Sequence, residues 1–357
     1  MTLPAHAPSH PVSVAGDWQA IHIFYAANAQ PLLVHCVRPL VRELTEDGLI
    51  SGYFFINYWL EGPHVRLRLR PVSADATDEV RERSAAAIEA FLRRRPALYE
   101  MGGGFLSELY NTLFALEYPG GPPPDLVDAD GQMLLRPNNS FSFRPYEPEY
   151  DKYGGPAGTA LAEWHFQHSS DVVLNSMRSM NLHLRPILFG VSAQLMMVMA
   201  GCFLKDRAAV VAFLEKYLQF WHRAFAGTNF IGTGEYERQY GAMAAGVGRR
   251  FTHTLDALES GQTERLPMFL QGWAVHCREL SARVQDLASR GELVFGSWDG
   301  TGQERLTDPD AVAEKLLSPY LHMTNNRFHV TIRDEAYLAY LLGRSLSEPP
   351  ARTDESP

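Results

Sequence analysis

The chain has 357 residues, 46% hydrophobic and 20% charged, with a formal net charge of −9. This composition is that of a folded protein of one large or two ordinary domains, and its acidity disfavours gripping nucleic acid through a broad phosphate-contacting face. The three cysteines, Cys36, Cys202 and Cys277, are widely spaced and make neither a CxxC pair nor a disulfide framework, which suits a reducing cytoplasm.

The first sixteen residues are rich in Pro, His, Ala and Ser and lack the basic-then-apolar pattern of a signal peptide, so they read as a disordered leader. Order is expected from residue 17 to 346, sheet-rich over 17–156 and helical over 157–346, with a polar tail at 347–357. Residues 18–25 alternate and are aromatic and β-branched, which predicts a strand. A helix follows over 28–44, with Pro39 expected to kink or start it. Residues 53–58 and 64–70 read as adjacent strands around a Glu61-Gly62-Pro63 break. The second alternates strictly, with Val65, Leu67 and Leu69 on one face and Arg66, Arg68 and Arg70 on the other. A charged helix over 77–94 takes Thr77 as its N-cap. This β-α-β-β-α order points to an α+β fold in which a small mixed or antiparallel sheet, ferredoxin-like or related, packs beside a helical bundle.

Residues 105–116 read as a short helix and 132–146 as extended. Helices are predicted at 158–178, 186–203, 206–225, 235–259, 266–290, 308–317 and 334–346. The apolar run 186–204 approaches membrane-spanning length, but Gly190, Ser192 and Gln194 interrupt it, and it reads as a buried core helix.

Three groups of residues could carry chemistry. The row Arg66, Arg68, Arg70 places three guanidiniums on one strand face. It is either a solvated face with acidic neighbours or a clamp for carboxylate or phosphate. The stretch Tyr146 to Gly155 holds three tyrosines and a double glycine, a surface turn or a partly buried loop. His322 lies near Asn325, Asn326 and Arg327 at an expected helix-to-loop junction, structural or proton-transferring. Weaker signals are the Gly102–Gly104 turn and a His165/His168 pair with helical spacing for a metal. No GxSxG, Walker loop, dinucleotide fingerprint or zinc ribbon occurs.

As an ordered set these stretches resemble the C-terminal, or elimination, domain of nisin-type lanthipeptide dehydratases, which also occurs free-standing in thiopeptide pathways. The likeness rests on residues 18–25, on 54–70 with its Gly-Pro-His-Val-Arg-Leu-Arg core, on 146–155, on Ala162-Glu163 with Ser169-Ser170, and on 322–327. It implies an enzyme acting on a ribosomally made precursor peptide, with no metal or organic cofactor. Elimination would expel glutamate from glutamylated Ser or Thr, leaving dehydroalanine or dehydrobutyrine. That implies a separate glutamylating enzyme that uses glutamyl-tRNA. By resemblance Arg66 and Arg68 match the glutamate-binding arginines and His322 the acid/base. Arg144, Tyr146, Lys152, Tyr153, Asn325 and Arg327 are carried over as substrate-binding residues. The family's loop commonly has arginine where this chain has Pro148 and Lys152; lysine keeps the charge without the bidentate fork, and Arg144 is close enough in sequence to compensate. Two alternatives stay open: a pyridine synthase joining two dehydroalanines in a formal [4+2] cycloaddition with loss of water and leader, and a non-catalytic peptide carrier. The expected setting is cytoplasmic, without membrane or direct nucleic-acid contact, and a homodimer stays open.

Overall fold

A computed structural model describes residues 18–98, 110–111, 113–115, 117–118, 121–224, 234–297 and 302–347. The expected leader, the turn at Gly102–Gly104, most of the 105–116 helix and the tail beyond Ser347 lie outside these residues. Alternating aromatic and β-branched residues form strand β1, Gln19–Phe24. Helix α1 follows as Gln30–Leu32, a π-helical turn Leu33–Val37, and Arg38–Glu46. The π turn accommodates Pro39, which has no N–H for the carbonyl four residues back; the Arg38 N–H reaches Leu33 instead. The helix therefore widens at the proline and continues.

Strands β2, Ile50–Tyr58, and β3, His64–Pro71, then pair, followed by helix α2, Asp75–Arg94. Thr77 is not the cap of α2. It lies inside the first turn, and the Ser73 hydroxyl accepts the Ala76 N–H instead. Strand β4, Ser140–Arg144, occupies part of the segment expected to be extended. The sheet has four strands in the order β2-β3-β1-β4, each neighbour antiparallel. This is the split β-α-β arrangement that the element order implied, and the fold is α+β.

The sheet has two unlike faces. Ile21, Ile23, Val65, Leu67, Leu69 and Phe55 are buried in the main core with α1 and α2. The opposite face carries Arg66, Arg68, His22, Arg144 and Phe54, because cross-strand partners share a face. The β2 edge is covered by helices. The Ser170 hydroxyl accepts the Phe55 N–H, and Asn326 exchanges hydrogen bonds with the Asn57 backbone.

Helices α3 (Tyr150–Tyr153) and α4 (Gly155–Ser179) lead into α5 (Arg185–Phe203), α6 (Arg207–Ala224), α7 (Gly234–Glu259) and α8 (Met268–Ser289). A small hairpin of β5 (Val294–Gly296) and β6 (Gln303–Arg305), absent from the sequence expectation, precedes α9 (Pro309–Arg327) and α10 (Ile332–Ser347). Helix α5 is long and apolar enough to cross a membrane, yet every residue from Val191 to Ala200 is buried against α7, α8, α9 and α10. Helix α9 departs from the sequence reading. It does not stop near residue 317 but runs through Pro319, so His322 sits inside a helix rather than at a junction. Buried Leu316, Leu317, Tyr320 and Leu321 on both sides of the proline hold the helix across the lost bond.

Candidate functional site

Strict alternation places Arg66 opposite His22 and Ile56, and Arg68 opposite Ala20 and Phe54. Arg144 on β4 faces Ala20 from the other side, so arginines from two strands converge on β1. Arg66 lies 3.5 Å from the centre of the Tyr58 ring, and its Nε donates to His64 Nε2 at 3.1 Å. His64 Nδ1 in turn donates to the Gly62 carbonyl at 2.8 Å, which fixes a neutral imidazole. Burial, above all, pushes the His64 pKa down to about 3.

Arg68 is 6% exposed, and its Nε and Nη1 have no hydrogen-bond partner. Its guanidinium is 5.6 Å from the Tyr146 ring. Burial, then Arg66, lowers its pKa to about 10, so it stays charged at neutral pH. Arg144 Nη2 and Arg136 Nε reach the same oxygen of Glu61, at 3.4 and 2.6 Å. Glu61 adopts a left-handed backbone (φ 67) unusual outside glycine; Arg136 holds it by both its backbone N–H and its side chain. Arg66, Arg68 and Arg144 therefore share one sheet face, and the buried Glu61 carboxylate is already taken by Arg136 and Arg144. Such a face attracts an anion, and the bare donors of Arg68 are where one would bind.

The tyrosine loop closes over this face. Tyr146 donates to Glu163 at 2.7 Å, which aims its ring at Phe54 and Arg68. Burial raises the Glu163 pKa. Gly154 and Gly155 both have positive φ, 87 and 81°, where the chain turns from α3 into α4. A Cβ on Gly154 would lie 3.0 Å from the Phe295 ring, so a side chain there would be crowded as well as strained in conformation. Tyr153 is buried, its ring 6.1 Å from Tyr320, and Arg327 is buried over the Phe166 ring at 4.6 Å. Both lie in the core beneath the loop rather than on an open surface. Lys152 sits at the exposed rim, 3.2 Å from Glu149.

His322 belongs to a second cluster. Its Nδ1 lies 2.9 Å from Glu335, which is fully buried and also accepts from Tyr217 and from Asn325 Nδ2 at 3.2 Å. A carboxylate only accepts, so Nδ1 carries the proton and Nε2 is the lone-pair end. The His322 side chain is 28% exposed, beside the Trp221 ring at 5.1 Å. One turn further along α9, Asn326 Nδ2 donates to the Asn57 carbonyl at 2.8 Å and its oxygen accepts the Asn57 N–H at 3.0 Å. Asn57 precedes Tyr58, the ring that carries Arg66, so the histidine helix is latched to the arginine strands. Sequence reasoning missed Glu335, Glu61 and the placement of His22. The unusual Glu61-Gly62 turn was a visible hint for one; nothing local marked Glu335 as the partner of His322.

The C-terminal domain model described as "Lantibiotic biosynthesis dehydratase C-term" matches residues 18–346. The chain belongs to this family. No curated protein sequence matches it. Among solved structures, the pyridine synthase TbtD from thiomuracin biosynthesis superposes with a TM-score of 0.70 at 18% identity, covering 92% of this chain and 97% of that one. TsrL gives 0.62 at 17% identity, over 92% and 93% of the two chains. The tRNA-dependent lantibiotic dehydratase MibB from Microbispora sp. 107891 gives 0.52 at 17% identity; this chain matches over 95% of its length and spans 28% of MibB. At these identities the likeness is one of fold. Membership of the dehydratase C-terminal family places the chain among enzymes of ribosomal peptide antibiotic biosynthesis.

Proposed function

We propose that this chain eliminates glutamate from glutamylated Ser or Thr residues of a ribosomal precursor peptide, giving dehydroalanine or dehydrobutyrine. The observation that carries this reading is the buried guanidinium of Arg68 with two N–H-bearing nitrogens unpartnered, beside Arg66 and Arg144. A leaving group that departs as a carboxylate needs such donors, and neutral dehydroalanines do not. His322 Nε2 takes the Cα proton, with Glu335 orienting the ring and stabilising the imidazolium through Nδ1. The Cα–H electrons become the Cα=Cβ bond, the Cβ–O bond breaks, and glutamate leaves into the arginine face. Its glutamylated substrate comes from a separate tRNA-dependent enzyme.

A second reading, pyridine synthesis by [4+2] cycloaddition, draws on the near-complete coverage of TbtD and its higher TM-score than MibB's. Mass spectrometry separates the two. The precursor is supplied once glutamylated and once already dehydrated. Loss of glutamate from the first, with the ester retained under Arg66→Ala or His322→Ala, is the expected result. Ring formation with leader loss from the second would replace this reading with the cyclase. Binding without any mass change would leave a peptide carrier.

A further inference from the structure

Arg327 is 0% exposed, and its Nε and Nη2 have no hydrogen-bond partner. Its Nη1 donates to the Met323 carbonyl one turn back along α9, and the guanidinium lies 4.6 Å from the centre of the Phe166 ring. Burial lowers its pKa to about 9, which leaves it charged at neutral pH. No carboxylate among the described residues pairs with it. Glu163 accepts from Tyr146, Glu335 from Tyr217, His322 and Asn325, and the exposed Glu149 pairs with Lys152. A buried charge without a counter-charge is costly unless a ligand supplies one.

The groups around it are donors as well. The Tyr153 ring, 1% exposed, packs on the same Phe166 ring at 5.3 Å and stacks on Tyr320 at 6.1 Å. Tyr320 is fully buried on α9, seven residues before Arg327 and so on the same helix face, and the Arg327 side chain runs back toward it. Neither phenol has a hydrogen-bond partner. Burial raises the pKa of both, so they stay protonated and neither serves as the counter-charge. His165, 4.9 Å from the Tyr320 ring, is kept neutral by burial and then by Arg327, and its Nδ1 is shared with His276. What is left is two guanidinium nitrogens and two phenol O–H groups, all donors, around a positive charge. Water would satisfy the hydroxyls but not the charge. We propose that Arg327, Tyr153 and Tyr320 bind a chloride ion. A monatomic halide accepts from every direction, needs no donor in return, and is small enough for a site whose three side chains are each at most 1% exposed. The ion ties α9, which bears His322, to α3 and the tyrosine loop, and it serves elimination and ring closure alike.

The test uses bromide, which replaces chloride and scatters anomalously, and chloride itself. Crystals of the whole protein soaked in sodium bromide should show an anomalous peak between Arg327 and the two phenols. In solution, the thermal midpoint of protein dialysed into sodium gluconate should rise as chloride replaces gluconate at constant ionic strength, in proportion to filling of the site. Tyr153→Phe removes one hydroxyl and should raise the chloride concentration needed about tenfold, the scale of one hydrogen bond to a charged group. Arg327→Met removes the charge and should abolish the chloride response; should that variant not fold, wild type and Tyr153→Phe decide. Absence of the bromide peak overturns the inference. A peak with equal midpoints in chloride and gluconate marks an adventitious ion only and overturns it too. So does a chloride response that Tyr153→Phe and Arg327→Met leave unchanged.

Discussion

His322 and Glu335 show how a single carboxylate can set a histidine's chemistry. Glu335 is wholly buried and accepts from three side chains, so it is fixed and unable to turn away. Glu335→Gln replaces the carboxylate with an amide that can turn its N–H toward His322 Nδ1, which favours the wrong tautomer. The expected outcome is a fall in kcat of about 10² or more with KM nearly unchanged, read by quench-flow mass spectrometry of glutamylated peptide. An unchanged kcat would remove His322 from the proton transfer. Arg327 and Tyr153 act at a different level. They fill the core behind the site, Arg327 giving Nη1 to the Met323 carbonyl at 2.7 Å.

At the scale of elements, the site depends on α9 being held against the β2 edge. Asn326 satisfies both backbone groups of Asn57, a job that another strand would do in a larger sheet. Asn326→Ala strips that edge and is expected to cost about 1–3 kcal/mol, with faster amide hydrogen exchange at Asn57 and a lower denaturant midpoint. Unaltered exchange there would show that the latch does not hold the two parts together. The elements themselves were largely legible, since apolar periodicity depends on local spacing. One junction was not. The helix expected to end at 317 runs on through Pro319, where buried neighbours on either side outweigh one missing hydrogen bond, whereas Pro39, expected to kink or start its helix, is passed by a π turn.

At the scale of the whole molecule, buried neutral histidines set the acid limit of stability. His22 and His64 are lowered to about 2 and about 3, and burial also pushes His165 and His276 down; the last two share a hydrogen bond of 3.0 Å. Each titrates near 6.5 when unfolded. Above that pH neither state binds the proton and the histidines do not change stability. As pH falls below it, the unfolded chain takes up protons that the folded chain refuses. Stability then drops by about 1.4 kcal/mol per pH unit for each such group. Glu163 and Asp171, raised by burial, pull the other way as they take up protons. The urea midpoint should therefore be level from about pH 8 to 7 and fall steeply between about 6 and 5. A flat midpoint across that range would mean the histidines are charged or open to water in the fold.

Alternation of Val65, Leu67 and Leu69 with Arg66, Arg68 and Arg70 was enough, without a structure, to put the arginines on one face, because strand geometry sends successive side chains to opposite sides. The α+β class and the helix order followed from the same local periodicity. Which arginine would be buried and bare did not, because it depends on what packs above the strand: Arg68 under Tyr146, Arg144 drawn to Glu61. The partnership of Glu335 with His322 and Tyr217, and the arrival of His22 among the arginines, were likewise decided by tertiary packing. They join residues on different elements through contacts and burial, and neither leaves a periodic trace in the sequence.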